Sequence, residues 1–228
     1  MKVIALIPAA GAGIRMGGNI PKQFLKLKGK PIIAHTLSRL EECEGINEVV
    51  LVLPGDEVKY CQKDIIDHYG FQKIKKIVPG GEKRQDSVYL GLETMPACDI
   101  VLVHDGVRPF VTASLLEETI IQADNYDACI VGVPAKDTIK TVSSRLEVIK
   151  TLKRKMVWII QTPQTFRYDI LKKAYQQAYQ DGFYGTDDAS LVERLGVRIK
   201  VIEGSYRNIK ITTPEDLTMA KNILPSRA

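Results

Sequence analysis

The sequence has few of the features that mark disulfide-bonded, zinc-binding or membrane-spanning chains. Its 228 residues include four cysteines, and the nearest two, Cys43 and Cys61, lie 18 positions apart, which excludes CxxC motifs and zinc-ligand spacing. No apolar run approaches the length of a membrane span, and no charged segment followed by a long apolar one opens the chain. We therefore expect a cytoplasmic protein with no membrane partner, whose thiols pack as small apolar groups.

Positive charge is concentrated in one segment that has no aromatic residue. Between Lys136 and Lys155 the chain has seven cations and two anions, a surplus as large as the net charge of +5 for the whole chain. Without aromatic platforms or a known motif, this segment does not fit a nucleic-acid reader, and we expect no nucleic-acid partner. The modest net charge suits small anionic ligands, and a solvated surface hairpin is one interpretation of the segment.

Short apolar runs alternate with helical patterns along most of the chain. The runs are rich in Val and Ile and nearly continuous, as in strands covered on both faces: Val3–Ile7, Glu48–Leu53, Ile100–His104 and Ala128–Val133. Segments with apolar residues three and four apart lie between them. This alternation predicts an α/β fold with a single doubly wound, mostly parallel sheet. A chain of this length needs only one such domain, spanning 1–228.

The alternation is interrupted between 136 and 155. β-branched residues flank the pair Ser143 and Ser144 there, which predicts a β-arm that projects from the sheet. The pattern then resumes and predicts, in order, helices near Tyr168–Gln180 and Asp187–Leu195, a strand at Arg198–Glu203 and a last helix capped by Thr213.

The first predicted strand runs into the glycine-rich stretch PAAGAGIRMGGNIPK, from Pro8 to Lys22. A P-loop would need Lys and Ser or Thr after its second glycine, and a dinucleotide fingerprint would need a third glycine where Met16 stands. What remains is a long loop whose backbone can wrap a triphosphate. In this interpretation Arg15 and Lys22 face the charge that develops on phosphorus during a transfer. A mobile surface loop is the alternative.

Ligands of open α/β sheets lie beyond the carboxyl ends of the strands, so the loops there supply further candidates. Gly80 and Gly81 let the backbone approach a ligand closely, and Arg84 and Ser87 follow on one face of the next predicted helix. Arg84 as a plain surface cation and Ser87 as a helix-terminal residue are the alternatives. The stretch TDDAS, at 186–190, is interpreted first as a helix N-cap with acids that suit the helix dipole.

Asp105, in HDGVRPF, is the best metal-ligand candidate of the chain. It ends a predicted buried strand, and Mg²⁺ is commonly held by one or two carboxylates together with substrate phosphates. We expect His104 to pack or to hold the loop, and Arg108 to brace Asp105 through an ion pair. Lys210 lies on a short β-branched run and points opposite to its two isoleucine neighbours, toward a ligand or into solvent.

Seven motifs occur in order over essentially the whole chain: PAAGAGIRMGGNIPKQFL, PGGEKRQDSV, HDGVRPF, VPAKDTIK, QTPQTF, TDDAS and NIKITTPEDL. Together they resemble the 2-C-methyl-D-erythritol 4-phosphate cytidylyltransferases of the non-mevalonate isoprenoid pathway. The resemblance implies a Rossmann-like nucleotidyltransferase that works with Mg²⁺. Its reaction would be in-line attack of the polyol phosphate on the α-phosphorus of CTP, giving 4-diphosphocytidyl-2-C-methyl-D-erythritol and pyrophosphate.

The resemblance also implies roles for matching positions. The catalytic cations would be Arg15, Lys22 and Lys210. Residues that bind CTP would be Pro8, Ala9, Ala10, Gly11, Gly13, Gly80, Gly81, Arg84, Ser87, Asp105 and Gly106, with Asp105 holding the metal. Residues that contact the acceptor would be Thr138, Arg154, Thr162 and Lys210. The β-arm would carry Thr138 and Arg154 into the neighbouring site of a homodimer, so that the sites are shared between subunits.

Other assignments remain open at this point. Ribitol-5-phosphate cytidylyltransferases are similar in the loop, the arm and the NIKITTP ending. They tend to have LAGGxGxRMG and RNxT where this chain has PAAGAGIRMG and RQDSV, which favours the methylerythritol enzyme. A transferase for another base and a module that binds CTP without turnover are further alternatives. Gly106 stands where the family often has alanine, and we expect little consequence because glycine keeps the backbone N–H.

Overall fold

The computed structural model describes residues 1–11 and 20–224. Its strands are, in chain order, β1 (Val3–Pro8), β2 (Lys26–Leu27), β3 (Lys30–Pro31), β4 (Glu48–Leu53), β5 (Ile74–Pro79), β6 (Ile100–Val103), β7 (Ala128–Pro134), β8 (Lys140–Val142), β9 (Val148–Thr151), β10 (Trp158–Arg167) and β11 (Lys200–Glu203). Its α-helices are α1 (Ile32–Glu42), α2 (Val58–Cys61), α3 (Arg84–Thr94), α4 (Ala113–Tyr126), α5 (Tyr168–Gln180), α6 (Asp188–Glu193) and α7 (Pro214–Ile223). None of the helices in these two ranges is long and apolar enough to cross a membrane.

Within the described ranges, seven strands form one sheet in the order β11-β7-β10-β6-β1-β4-β5. β1 pairs in parallel with β4 and β6, β4 pairs in parallel with β5, and β7 with β11. β10 lies between β6 and β7 and is antiparallel to both. The sheet is therefore mostly parallel, as the sequence predicts.

Strand β1 explains why helices cover both faces of the sheet. Its residues are all buried, and successive side chains of a strand point to opposite faces. Ala5 and Ile7 belong to an apolar cluster that includes residues of α1 and α4, whereas Ile4 and Leu6 belong to one that includes residues of α3 and α5. A continuous apolar strand of this kind needs a helical layer on each side, so the doubly wound architecture is confirmed.

The main element that the sequence does not predict is β10, because Pro163 lies in its interior. Proline has no N–H to donate, so a proline in a run of residues argues against a central strand. In the structure the register between β10 and β7 shifts between Gln161 and Gln164. Pro163 falls within this irregularity, where no regular ladder bond is required of it. The predicted strand at Arg198–Glu203 is shorter than expected and begins at Lys200.

Strands β8 and β9 form a separate antiparallel hairpin inside the predicted β-arm. The Ser143 hydroxyl oxygen accepts the backbone N–H groups of Arg145 and Glu147, which closes the turn where the two serines predict it. Every residue of both strands is exposed. An isolated two-stranded hairpin is only marginally stable in water.

Candidate active site

A cavity of about 240 Å³ opens where the loops after β1, β5 and β6 meet. This is the carboxyl edge of the parallel strands, the expected position for a ligand in such a sheet. Several sequence-predicted residues line it: Pro8, Ala9, Ala10, Gly11, Lys22, Gly81, Arg84, Ser87, Asp105 and Lys210. Residues far apart in sequence are therefore brought to one place.

The remaining predicted residues lie elsewhere. Gly80, Gly106 and Thr162 sit behind the cavity wall, and Thr138 and Arg154 belong to the β-arm and do not line the cavity of their own chain. Gly13 and Arg15 lie outside the described residues.

Asp105, directly after β6, is the centre of a cluster of charges. Its Oδ1 lies 3.1 Å from Nε of Arg84, and its Oδ2 lies 2.9 Å from Nζ of Lys210 and 3.4 Å from Nε of Arg108. Burial alone would raise the pKa of Asp105, but these three cations outweigh it and hold the pKa well below its usual range. The carboxylate is therefore ionised, the expected brace by Arg108 is present, and the cluster as a whole is positive.

Arg84 joins Asp105 to a second, fully buried acid. Its Nη1 and Nη2 donate to the two carboxylate oxygens of Asp188 at 3.1 and 2.8 Å, and Asp188 also accepts the hydroxyl of Tyr175. Burial would lower the pKa of Arg84, but the two carboxylates raise it well above its ordinary value. The surface-cation alternative for Arg84 is therefore wrong. In TDDAS, Asp187 caps α6 as predicted, by accepting the N–H of Ser190.

A directed chain of hydrogen bonds supports Asp105 from behind. Burial lowers the pKa of His104 to about 4, so the ring is neutral near pH 7. Its Nε2 lies 3.1 Å from the carbonyl of Arg108, which can only accept, so Nε2 holds the proton and Nδ1 accepts the hydroxyl of Thr162 at 3.1 Å. The Thr162 oxygen in turn accepts the N–H of Asp105 at 3.0 Å. His104 thus holds the loop, as expected, and the Thr162 hydroxyl has two protein partners.

Lys210 is positioned by both of its flanking segments. The N–H of Ile211 donates to the carbonyl of Val107 at 3.0 Å, and the Ile211 side chain is buried in an apolar cluster. On the other side, the side-chain amide of the buried Asn208 donates to the backbone carbonyl of Thr162 at 2.9 Å. The backbone carbonyl of Asn208 accepts a hydrogen bond from Nη1 of Arg108 at 2.7 Å. Sequence reasoning missed Asn208, since a loop asparagine is more commonly a turn residue.

Two glycines allow close packing between the loops around the cavity. A Cβ at Gly80 would lie 2.2 Å from the Cβ of Ala10, and a Cβ at Gly106 would lie 2.8 Å from the Cβ of Ala9. Both distances are too short for real carbon atoms, so alanine at either position would push the β1 loop aside. The expectation that Gly106 has little consequence for the ligand stays a prediction.

Lys22 reaches the cavity from a 3₁₀ turn, Lys22–Phe24, that follows Pro21. Phe24 is buried, and its ring packs edge-on against Tyr60 with centroids 5.2 Å apart. This aromatic contact anchors the turn to α2. Gln23, between the two, also lines the cavity and was not singled out from the sequence.

The residues around Asp105 fit one magnesium ion. A carboxylate offers about four lone-pair sites, and three of them face Arg84, Arg108 and Lys210. No cluster of three or more His, Cys, Asp or Glu suited to a metal occurs in residues 1–11 and 20–224. Mg²⁺ commonly takes one or two protein carboxylates and completes its shell with phosphates and water, so a single ionised Asp105 is chemically sufficient.

Comparisons with known proteins point to one family. The model of the family described as IspD, 2-C-methyl-D-erythritol 4-phosphate cytidylyltransferase, matches residues 3–226. A protein of that name from Geotalea uraniireducens is 49% identical over 229 residues, covering 99% of this chain and 98% of its own. One from Alkaliphilus oremlandii is 50% identical over 227 residues, covering 99% and 96%. The crystal structure of 4-diphosphocytidyl-2C-methyl-D-erythritol synthase from Anaerococcus prevotii aligns with a TM-score of 0.87 and 34% identity, covering 97% of this chain and 95% of that one.

Proposed function

The chain belongs to the 2-C-methyl-D-erythritol 4-phosphate cytidylyltransferase family and transfers the cytidylyl group of CTP to 2-C-methyl-D-erythritol 4-phosphate in isoprenoid biosynthesis, and we propose that the cavity beside Asp105 is its active site. The observation that carries this assignment is the convergence of Lys22, Arg84 and Lys210 with one ionised carboxylate on a single cavity. Transfer at phosphorus asks a protein mainly to position its substrates and to stabilise charge, and this lining does both.

The reaction needs no general base from the protein. The acceptor phosphate is already an oxyanion, and one of its oxygens attacks the α-phosphorus of CTP in line with the bond to the β-phosphate. The new oxygen–phosphorus bond forms while the bond between the α-phosphorus and the bridging oxygen of the β-phosphate breaks. The electron pair of the broken bond leaves with pyrophosphate. Lys22 and Lys210 donate hydrogen bonds to the oxygens on which negative charge increases, with Arg15 as a third predicted cation.

The nucleoside end of CTP would lie against the loops after β1 and β5. Ala9, Ala10 and Gly11 line one side, and Gly81 and Ser87 line the other. The backbone N–H groups of Ala9 and Gly81 already donate to the Val52 carbonyl and to the Ser87 hydroxyl. Those of Ala10 and Gly11 are suited to hydrogen-bond a base or phosphate oxygens. Asp105 would hold Mg²⁺, which when bound neutralises charge on the phosphates of CTP.

Exposed apolar residues support a homodimer built through the β-arm. Val142, Leu146, Val148 and Ile149 are all exposed on the hairpin, with Leu146 at 83%. Arg154 closes the base of the arm by donating Nη1 to the carbonyl of Lys136 at 2.8 Å. In this proposal the single domain spans 1–228, and its arm inserts into a second copy, where Thr138 and Arg154 contact the acceptor phosphate.

Replacing Arg154 with alanine is expected to raise KM for the methylerythritol phosphate by about 10-fold or more, because a charge-assisted contact to phosphate is lost. KM for CTP should change far less. Steady-state kinetics with each substrate varied in turn measures both. Arg145→Ala, which removes the same charge at the exposed tip of the arm, is the matched control. A selective effect of Arg154→Ala on CTP would contradict the assignment.

Mixed dimers test whether the sites are shared. If Arg154 of each subunit completes the site of the other subunit, a heterodimer of Lys22→Ala and Arg154→Ala subunits has both substitutions in one site. Its other site then contains the wild-type Lys22 and Arg154. We expect roughly half of the wild-type activity, whereas each variant alone is impaired. No recovery in verified heterodimers would show that each chain supplies its own Arg154.

The thiols fit a location in the reducing cytoplasm. The four cysteines are unpaired, and burial raises the pKa of Cys61, Cys98 and Cys129 to about 12. Thiols with such pKa values stay protonated and are poor nucleophiles.

Release of pyrophosphate from CTP and Mg²⁺ tests the proposed function directly. We expect turnover with 2-C-methyl-D-erythritol 4-phosphate, little with ribitol 5-phosphate, and little when ATP, GTP or UTP replaces CTP. Binding of CTP without pyrophosphate release would instead identify a nucleotide-binding module. Turnover that survives loss of both Lys22 and Lys210 would place the reaction at another site.

A further inference from the structure

The cavity wall contains a buried amide that has no partner. Gln23 is only 1% exposed, yet it is one of the residues that line the cavity. Its Nε2 has no hydrogen-bond partner among the residues that the structure describes. In this part of the chain, the only other buried side-chain atom of this kind is Oδ1 of Asn208, which lies in the support of Lys210 and does not line the cavity.

An unpartnered buried amide is costly, and its position indicates what would satisfy it. Leaving a buried donor unpaired costs about 1–3 kcal/mol, and the great majority of buried polar groups in folded proteins are paired. The contact that anchors this turn is made by the neighbouring Phe24, through Tyr60. Because Gln23 lines the cavity, a ligand that enters it is the group placed to pair with this amide.

The charges around Gln23 favour an acceptor that is anionic. The lining includes the cations Lys22, Lys83, Arg84 and Lys210 and the acids Glu82 and Asp105, which leaves a positive surplus. An amide N–H₂ group donates well to a phosphate oxygen, and it lies next in sequence to Lys22. The apolar and backbone groups of Ala9, Ala10 and Gly81 suit the nucleoside end of the same ligand better.

We propose that Gln23 binds the triphosphate of CTP, with its side-chain amide donating a hydrogen bond to a non-bridging phosphate oxygen. This inference rests on the proposed active site and adds a specificity residue to it. Gln23 distinguishes a nucleotide with its full phosphate chain from one without, whereas Lys22 and Lys210 act on the charge of the transition state.

Titration calorimetry with CTP, CDP, CMP and cytidine, each with Mg²⁺, tests the inference in the Gln23→Leu variant. Because leucine keeps the approximate volume and removes the donor, we expect the Kd for CTP to rise by about 10-fold or more. The Kd for cytidine should stay within about twofold of wild type, since cytidine has no phosphate to pair with the amide. Gln176→Leu, on the exposed face of α5, is the control for the same chemical change at a distant surface.

Thermal unfolding of the ligand-free proteins separates binding from a structural role. If the amide has no partner without ligand, removing it should leave the melting temperature unchanged or raise it. Gln23→Met, with a flexible chain of similar length, is the second variant in case leucine disturbs packing. A lower melting temperature with unaltered preference for CTP over cytidine would show that the amide is structural and overturn the inference.

The remaining outcomes are also decisive. Equal losses for CTP and cytidine would place Gln23 at the nucleoside, and a selective rise in KM for the acceptor at saturating CTP would place it at the acceptor phosphate. Either result overturns the assignment. If the wild-type protein does not prefer CTP to cytidine, the proposed active site is contradicted. This outcome differs from those that contradict only the role of Gln23.

Discussion

Replacing Lys210 with alanine is expected to lower kcat by about 10²-fold or more, with a much smaller change in the affinity for CTP. In the structure Nζ of Lys210 lies 2.9 Å from the Asp105 carboxylate, at the edge of the cavity. In the proposed site, a cation at this position would stabilise the charge that appears as pyrophosphate leaves more strongly than it stabilises bound CTP. The loss should therefore fall on the chemical step.

The measurement compares kcat from pyrophosphate release with the Kd of CTP from calorimetry. Lys200→Ala, which removes an exposed lysine on β11 at the edge of the sheet, controls for the loss of one positive charge. The two carboxylate partners of Arg84 stay in place in the Lys210→Ala variant, so the cavity should keep its shape. Equal losses in binding and in turnover would contradict a role in the transition state.

The layout of the sheet could be predicted because its signals are local. β4 has the predicted bounds, and α5 follows the apolar spacing of its own residues. β10 could not be found in this way. Its place between β6 and β7 depends on pairing with strands far away in sequence, and the local signal at Pro163 argues against it.

The contacts of the candidate site also include some that the sequence predicts and others that it does not. Asp105 and Arg108 could be predicted to pair because they are three residues apart in the loop after a buried strand. The Arg84–Asp188 pair could not, since 104 positions separate the two and an N-cap explains an acidic residue near the start of α6 equally well. The hydrogen bond between Asn208 and Thr162 depends on the position of β10 in the sheet, because Thr162 belongs to that strand. The glycines at positions 80 and 106 are apparent from the sequence. Their close packing against Ala10 and Ala9 is seen only in the folded chain.

Replacing Asp105 with asparagine should have the largest effect on activity and on stability together. The change keeps the shape but removes the proposed metal ligand, and we expect kcat to fall by about 10²-fold or more. It also leaves the largely buried Arg108 without its carboxylate partner, and breaking a buried ion pair in this way costs about 3–5 kcal/mol. Asp124→Asn breaks an exposed pair with Arg167 and should cost less than about 1 kcal/mol. A kcat for Asp105→Asn that stays near wild type would show that the carboxylate holds no essential metal.

The stability difference between wild type and Asp105→Asn should narrow in acid. Because the folded pKa of Asp105 is far below that of an unfolded aspartate, the unfolded chain binds a proton at this residue below about pH 4 while the folded chain does not. Protons therefore favour unfolding of the wild type by about 1.4 kcal/mol for each pH unit below that point, and the variant lacks this contribution. Denaturant titrations of both proteins from pH 7 to pH 3 measure the difference, in which the other carboxylates cancel. A constant difference over this range would mean that the cations around Asp105 do not depress its pKa, and the charge cluster would then not explain the site.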